Sequence, residues 1–405
     1  MKQVFIIGLC FATTVAFAQK AAVSGAERMA KDQKSNLNEA RSLIKEAMNN
    51  AETKDDPKTW FVAAQIEDAQ LSRETAKQVM GQEPNEPLMY EAVANALPLF
   101  IKAYELDQIP NAKGKVAPKY TRNIKSILSA NLSQYWNGGV YYFENNNYQK
   151  AYELFQQYLD ITNQPFFAGD KISAKDENYQ MIQFFTAMAA TQLNNPELEL
   201  KALKQAKEYP YRQYDVYVYL VLAYDHQKDT DNLEKTLEEG IQAFPDSSYF
   251  LLNLINLYIS SERNEKAIGM LTSAIAKDAS NPQLYQAMGS VYESGYEDFT
   301  KAEENYIKAL QYDQESPTAL SNLGRIYFNE GISIVNEANQ LTDVQAYNTE
   351  KEKAKELFKK ALPYFEKAHQ INPTASEYMI GLRGIYYQLE MTKEFSEIEA
   401  KMENR

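Results

Sequence analysis

The amino-acid sequence predicts an all-α solenoid of stacked antiparallel helix hairpins, on three observations. Tyr224, Tyr258 and Tyr292 fall 34 residues apart, and each closes the same pattern of large and small residues. Within one period, Tyr217, Leu220, Val221 and Tyr224 lie at i, i+3, i+4 and i+7, one face of a helix; Leu233, Leu237 and Gly240 form the stripe of a second helix before Pro245 ends the unit. At 405 residues the chain exceeds one ordinary core, and an array whose units touch only their neighbours lets the core grow lengthwise.

The chain opens with a secretory-signal pattern over residues 1–18. Lys2 supplies the positive start, Val4 to Phe11 the apolar run, and Ala16, Phe17 and Ala18 a small-x-small cleavage site before Gln19. The run is too short to span a bilayer. Leu9 before Cys10 argues against lipid attachment there. Cys10 is the sole cysteine, so the expected mature chain has no disulfide, no thiol nucleophile and no thiolate metal site. The balance is 42 basic against 55 acidic side chains, net −13. It disfavours nucleic acid and anionic lipid as partners. The acidity reads as solubility, with an acidic groove for a basic partner as the other reading.

Along the chain, 19–35 is polar and expected to fray, and Ala40, Ile44 and Ala47 mark a capping helix within 19–56. Residues 57–180 hold N-terminal repeats with insertions: Trp60, Ala63 and Ala64 pair with Ala96, Phe100 and Ala103, then Tyr135, Gly138, Gly139 and Tyr142 with Ala151, Phe155 and Tyr158. Loops are expected at 81–87, 109–118 and 164–178 from their Pro, Gly, Asn and Asp content. Residues 181–405 hold the C-terminal repeats. Ala187, Ala190, Leu203 and Ala206 carry a weak unit; Leu251, Leu254, Ile255 and Tyr258 pair with Ala267, Leu271 and Ala274. Tyr285, Met288, Gly289 and Tyr292 pair with Ala302, Tyr306 and Ala309, with one extra residue near Gly295. Leu320, Leu323, Gly324 and Tyr327 pair with Ala361, Phe365 and Ala368, but about 25 residues beyond the period intervene. Those residues keep helical composition, and Asp343 reads as an N-cap, so a long hairpin is expected to project at about 328–360 as a candidate contact arm. Met379, Leu382 and Tyr386 open a last unit.

This alternation of aromatic, Leu-small pair and Tyr with Ala, aromatic, Ala and a closing Pro resembles the tetratricopeptide repeat family, over roughly residues 57–402. The resemblance implies a right-handed superhelical solenoid whose first helices line a concave, protein-binding groove. Carried onto this chain, the groove positions are Val218 and Leu222, then Leu252, Asn253 and Asn256, then Gln286 and Ser290, then Ser321, Asn322 and Arg325. Members that clamp a peptide carboxylate use two lysines beside asparagines and an arginine. Asn256, Asn322 and Arg325 stand here without those lysines, so that clamp is not expected.

No nucleophile elbow, phosphate loop, calcium loop or paired-histidine motif is present, and His226 and His369 read as surface residues. No cofactor or metal is expected. The sequence therefore points to a non-catalytic scaffold or adaptor of the bacterial cell envelope, most simply periplasmic, that binds a protein or peptide partner. The alternative is a glycan-binding envelope protein using Tyr211, Tyr214, Tyr219 and Trp136 as stacking platforms. Oligomeric state is left open.

Overall fold

The structure, a computed structural model, describes residues 19–173 and 175–403; the expected signal segment and Cys10 lie outside them. The described residues form helices and short helical turns with no strand. They divide into two compact units meeting in sequence at Asp229 and Thr230.

In the first unit, α1 covers 19–31, followed by α2 (Leu37–Asn49), α3 (Pro57–Val79), α4 (Glu86–Asp107), α5 (Thr121–Glu144), α6 (Tyr148–Thr162), α7 (Glu177–Thr191), α8 (Pro196–Lys207) and α9 (Gln213–His226). Side-chain caps decide where most of these helices begin. Asn36, Asp56, Asn85, Asn147, Asp176 and Asn195 each accept an amide N–H from the first turn, and Pro stands in the first turn of α3, α4 and α8. Helix α5 is capped from a distance: Asp107, at the end of α4, accepts the N–H groups of Lys119 and Tyr120 at 2.8 Å and of Thr121 at 2.9 Å. Burial works to raise the Asp107 pKa, and these amide donors outweigh it and hold it low.

The stretch expected to fray is instead helix α1. Val23 and Ala26 are buried in a cluster with Leu37, Ala40, Ile44 and Ala47 of α2 and Val62, Ala63 and Ile66 of α3. Met29 and Ala30 pack against the same cluster, which makes Val23, Ala26, Met29 and Ala30 one helical stripe seated on α2 and α3. A larger cluster joins α3 to α7 around Phe100, Tyr135, Leu154 and Phe155. Gly139 sits where α5 meets α6: a Cβ there would lie 2.3 Å from the buried Phe155 ring, so glycine alone allows the approach. The 164–178 insertion folds into two 3₁₀ turns, Pro165–Phe167 and Lys171–Ser173, that bury Phe167.

The second unit comprises α10 (Thr230–Ala243), α11 (Ser248–Ser260), α12 (Asn264–Lys277), α13 (Pro282–Ser290), α14 (Phe299–Tyr312), α15 (Pro317–Ala338), α16 (Val344–Ile371), α17 (Ser376–Gln388) and α18 (Thr392–Glu403). Each first helix packs antiparallel on the helix that follows. The extra residue near Gly295 is absorbed as a π-turn, Val291–Gly295, continuing α13. Helices α15 and α16 run 22 and 28 residues, about 33 and 42 Å at 1.5 Å per residue, against 9 to 14 for their neighbours. Asp343 caps α16 by accepting the Ala346 N–H at 2.7 Å, and between residues 328 and 360 the buried positions are Gly331, Ala338, Ala354 and Phe358. Leu341 and Val344 stay exposed at its tip. No helix among the described residues is long and apolar enough to cross a membrane.

Candidate functional site

The predicted groove residues of the second unit lie on α11, α13 and α15, outside the buried stripe of each helix. Most are engaged within the chain. Asn253 donates to the Tyr249 carbonyl at 2.8 Å, Gln286 to the Ser316 hydroxyl at 2.8 Å, and Ser321 to the Thr318 carbonyl at 3.1 Å. Ser290 and Tyr306 share a 3.3 Å hydroxyl contact. Asn256 is exposed and Leu252 half-buried.

Arg325 and Asn322 are drawn together by a residue the sequence did not single out. Glu293, on the π-turn and 7% exposed, is paired with both terminal nitrogens of Arg325, and Asn322 accepts from the same guanidinium at 3.1 Å. The Tyr306 hydroxyl donates to Glu293 at 2.8 Å. Both terminal nitrogens of Arg325 are thus engaged with Glu293 and Asn322, which ties the guanidinium into the wall. Burial, with Glu293 beside it, pushes the Tyr306 phenol well above the ordinary tyrosine pKa.

A related contact recurs between hairpins. Tyr258 on α11 donates at 3.0 Å to Glu234 on α10, 24 residues earlier. Arg263 lies over the Tyr258 ring at 4.6 Å and binds Glu234 at 2.6 Å. Burial and this carboxylate push Tyr258 up to about 12. Tyr327 donates to Glu303, again 24 residues back, with Lys360 3.8 Å above the ring. Tyr386 donates to Glu366 at 3.3 Å. Tyr258, Tyr327 and Tyr386 thus combine packing with a hydrogen bond, and the sequence pattern shows only the packing. Tyr292 differs: Ile268 stands 24 residues before it, its ring is partly buried, and Lys301 covers it at 5.1 Å.

Two surfaces in this unit remain open. On α17, Ile380 and Tyr387, seven residues apart on one helix face, are 53% and 69% exposed, with exposed Arg383 between them. Phe328 of α15 lies against Gly384, whose backbone admits the ring 2.8 Å from where a Cβ would stand. The other is a cleft of about 860 Å³ bordered by Ile241, Leu251, Lys266, Met270, Ala274 and Leu284, largely on second helices. Leu251 and Ala274, expected as packing residues, are only half-buried because they line this cleft.

In the first unit, Leu222 is exposed and Val218 half-buried on α9. Trp136 is not the stacking platform expected of it: its ring packs 5.4 Å from both Phe155 and Phe185. Tyr214 and Tyr219 are exposed, while Tyr211 is half-buried against Phe184. Among the described residues no cluster of three or more His, Cys, Asp or Glu is placed to hold a metal ion.

The family's packing positions are filled as its pattern requires: Leu323, Gly324 and Tyr327 on a first helix, and Ala302, Tyr306 and Ala309 on a second, are all buried. The repeat is TPR-like. Solved structures similar to the chain include the crystal structure of a TPR repeats protein from Bacteroides fragilis, 22% identical, TM-score 0.30, covering 63% of this chain and 98% of that one. The C-terminal part of a TPR repeat-containing protein from Cytophaga hutchinsonii is 16% identical, TM-score 0.36, covering 60% and 98%. A crystal structure of MamA protein is 18% identical, TM-score 0.34, covering 47% and 92%. At these values the fold assignment rests on the packing positions themselves. No protein-family model matches the chain, and no curated protein matches it.

Proposed function

We propose that the protein is a non-catalytic scaffold or adaptor of the cell envelope, binding a protein or peptide partner along the first-helix face of the second unit. The observation that carries this reading is the pair Ile380 and Tyr387, apolar and aromatic side chains largely exposed on a helix whose core stripe is already filled by Tyr378, Met379, Leu382, Ile385 and Tyr386. An aromatic beside an aliphatic residue and an arginine is the composition of interface anchors. The polar stretch from Gln286 to Arg325 is held rigid by its own hydrogen bonds and presents a preformed wall. The envelope location is supported by the signal-like residues 1–18.

Photo-crosslinking residues placed at Asn256, Ile380 and Tyr387 in living cells, followed by mass spectrometry, test this reading. Protein adducts at Ile380 and Tyr387 are expected; incorporation at all three without any protein adduct would sink it. Cell fractionation with N-terminal sequencing tests location, with Gln19 as the expected first residue and a retained Met1 as the contrary result. The exposure of Tyr214 and Tyr219 keeps glycan capture as the second reading, and unchanged retention on envelope polysaccharide after Tyr214→Ala with Tyr219→Ala would remove it.

A further inference from the structure

A polar pocket near the start of the first unit serves neither the core nor the partner face. It holds about 210 Å³ and is bordered by Lys31 at the end of α1 and by Gln65, Asp68, Ser72 and Arg73 of α3. At about 30 Å³ per molecule that is room for roughly seven waters. Gln65, Asp68 and Ser72 stand at i, i+3 and i+7, one face of the helix.

Asp68 is the acid of this pocket. One carboxylate oxygen accepts from Asn131 of α5 at 2.6 Å; the other meets no donor among the described residues. The neighbouring cations are directed elsewhere. Arg41 forks onto Glu67 at 2.8 Å, and Arg73 gives two N–H groups to the carbonyls of Ser35 and Asp32 at 2.9 and 2.8 Å. Lys31 pairs with Glu27 at 2.6 Å. A half-buried carboxylate without a cation is expensive, and burial raises its pKa against the opposing Asn131 bond. Gln65 adds a buried Oε1 that also has no donor. The inner wall thus offers acceptors. The border carries donors: Lys31, 63% exposed, whose ammonium shares itself with Glu27 and keeps further N–H groups, and Arg73, which likewise has N–H groups left to give.

We propose that this pocket binds a small zwitterion of the amino-acid type, its ammonium on Asp68 and its carboxylate toward Lys31 and Arg73. The arrangement is complementary to a dipolar ligand in that one orientation. A plain amine answers only the acid, and a plain carboxylate only the border. The volume admits a ligand of a few heavy atoms.

Isothermal titration of the purified protein with L-alanine, n-propylammonium and propionate tests the proposal. L-alanine should bind saturably, with each singly charged analogue roughly ten-fold weaker or more, the loss of one charge-assisted contact. Asp68→Asn should weaken L-alanine by a similar factor. Because that variant could unfold, Lys31→Ala at an exposed position is the second probe: it should weaken L-alanine and leave n-propylammonium unchanged. No saturable heat with L-alanine would show a merely hydrated pocket and overturn the proposal. So would equal affinities for L-alanine and n-propylammonium, or an unchanged affinity in a folded Asp68→Asn protein.

Discussion

Gly289→Ala should destabilise the second unit, against the helix preference for alanine. The new Cβ would lie 2.5 Å from Cε1 of Tyr306, 2.7 Å from Cδ1 and 2.9 Å from Cζ. A surface ring would swing aside. Tyr306 is fully buried, and its hydroxyl is tied to Glu293 at 2.8 Å and Ser290 at 3.3 Å, so moving the ring breaks bonds that hold a buried carboxylate. Overpacking costs about 1–3 kcal/mol and a lost hydrogen bond about 1 kcal/mol, while replacing glycine within a helix returns about 0.8–1 kcal/mol. The net expectation is a loss of about 1–3 kcal/mol. Gly269→Ala is the internal control: it lies within α12 and its Cβ would meet nothing within 4 Å, so it should gain up to about 1 kcal/mol. Urea unfolding followed by far-ultraviolet circular dichroism reads both. Equal stability of the two variants, or a Gly289→Ala protein more stable than the parent, would refute the packing argument; Tyr306→Leu in the Gly289→Ala background should restore part of the loss.

Three further outcomes follow from the polar contacts. Tyr258 and Tyr386 are pushed up to about 12 in the folded chain, so unfolding above the ordinary tyrosine pKa of about 10 releases protons. Their contribution is complete below about pH 10 and is lost as pH rises toward about 12; melting temperatures measured across that range should fall, and less steeply in Tyr258→Phe. Arg325→Ala leaves Glu293 without its cation, and because the arginine side chain is 44% exposed the loss should be about 1–2 kcal/mol rather than the larger value of a fully buried pair, with partial recovery on adding Glu293→Gln. Asp343→Ala removes the cap of α16 at about 1 kcal/mol, and hydrogen exchange should accelerate at the first-turn amides of that helix while the Leu323 to Tyr327 core stays protected.

The helices and most of their buried positions were legible because helical periodicity is local: Leu320, Leu323 and Tyr327 announce one face whatever packs on it. Pairings across hairpins have no such signature. Glu293 reads as one acid among 55 acidic side chains until the π-turn turns it inward, and only then does Arg325 cease to look like a free groove cation. Helix α1 carries a weak stripe, Val23, Ala26, Met29 and Ala30, two of its four positions alanine, and its burial depends on the surface that α2 and α3 offer. Leu251 and Ala274 obey the repeat pattern and still line a cleft, since the pattern specifies residue type and not how closely the next helix approaches. Glu234 and Glu303 stand 24 residues before Tyr258 and Tyr327, but the same offset from Tyr224 and Tyr292 falls on Leu200 and Ile268, and Tyr386 finds its acid at Glu366, so no fixed spacing announces the partner.

The place of Ile268, where Tyr258 and Tyr327 have an acid, bears on how the second unit yields under load. Where Tyr258, Tyr327 and Tyr386 fasten a hairpin to the one before it through a carboxylate, the junction before α13 is held by apolar contact of Ile275 with the Tyr285 cluster and by two neutral hydrogen bonds, Asn264 to the Gly295 carbonyl and Ser248 to Gln283, each at 2.9 Å. Pulled lengthwise, the unit should part first at that junction. The tear would leave α10 to α12 as one piece and α13 to α18 as another, with the long α15–α16 pair and the Ile380 face intact on the second. A partner held there would feel a tether that lengthens in a single step before its own grip is tested.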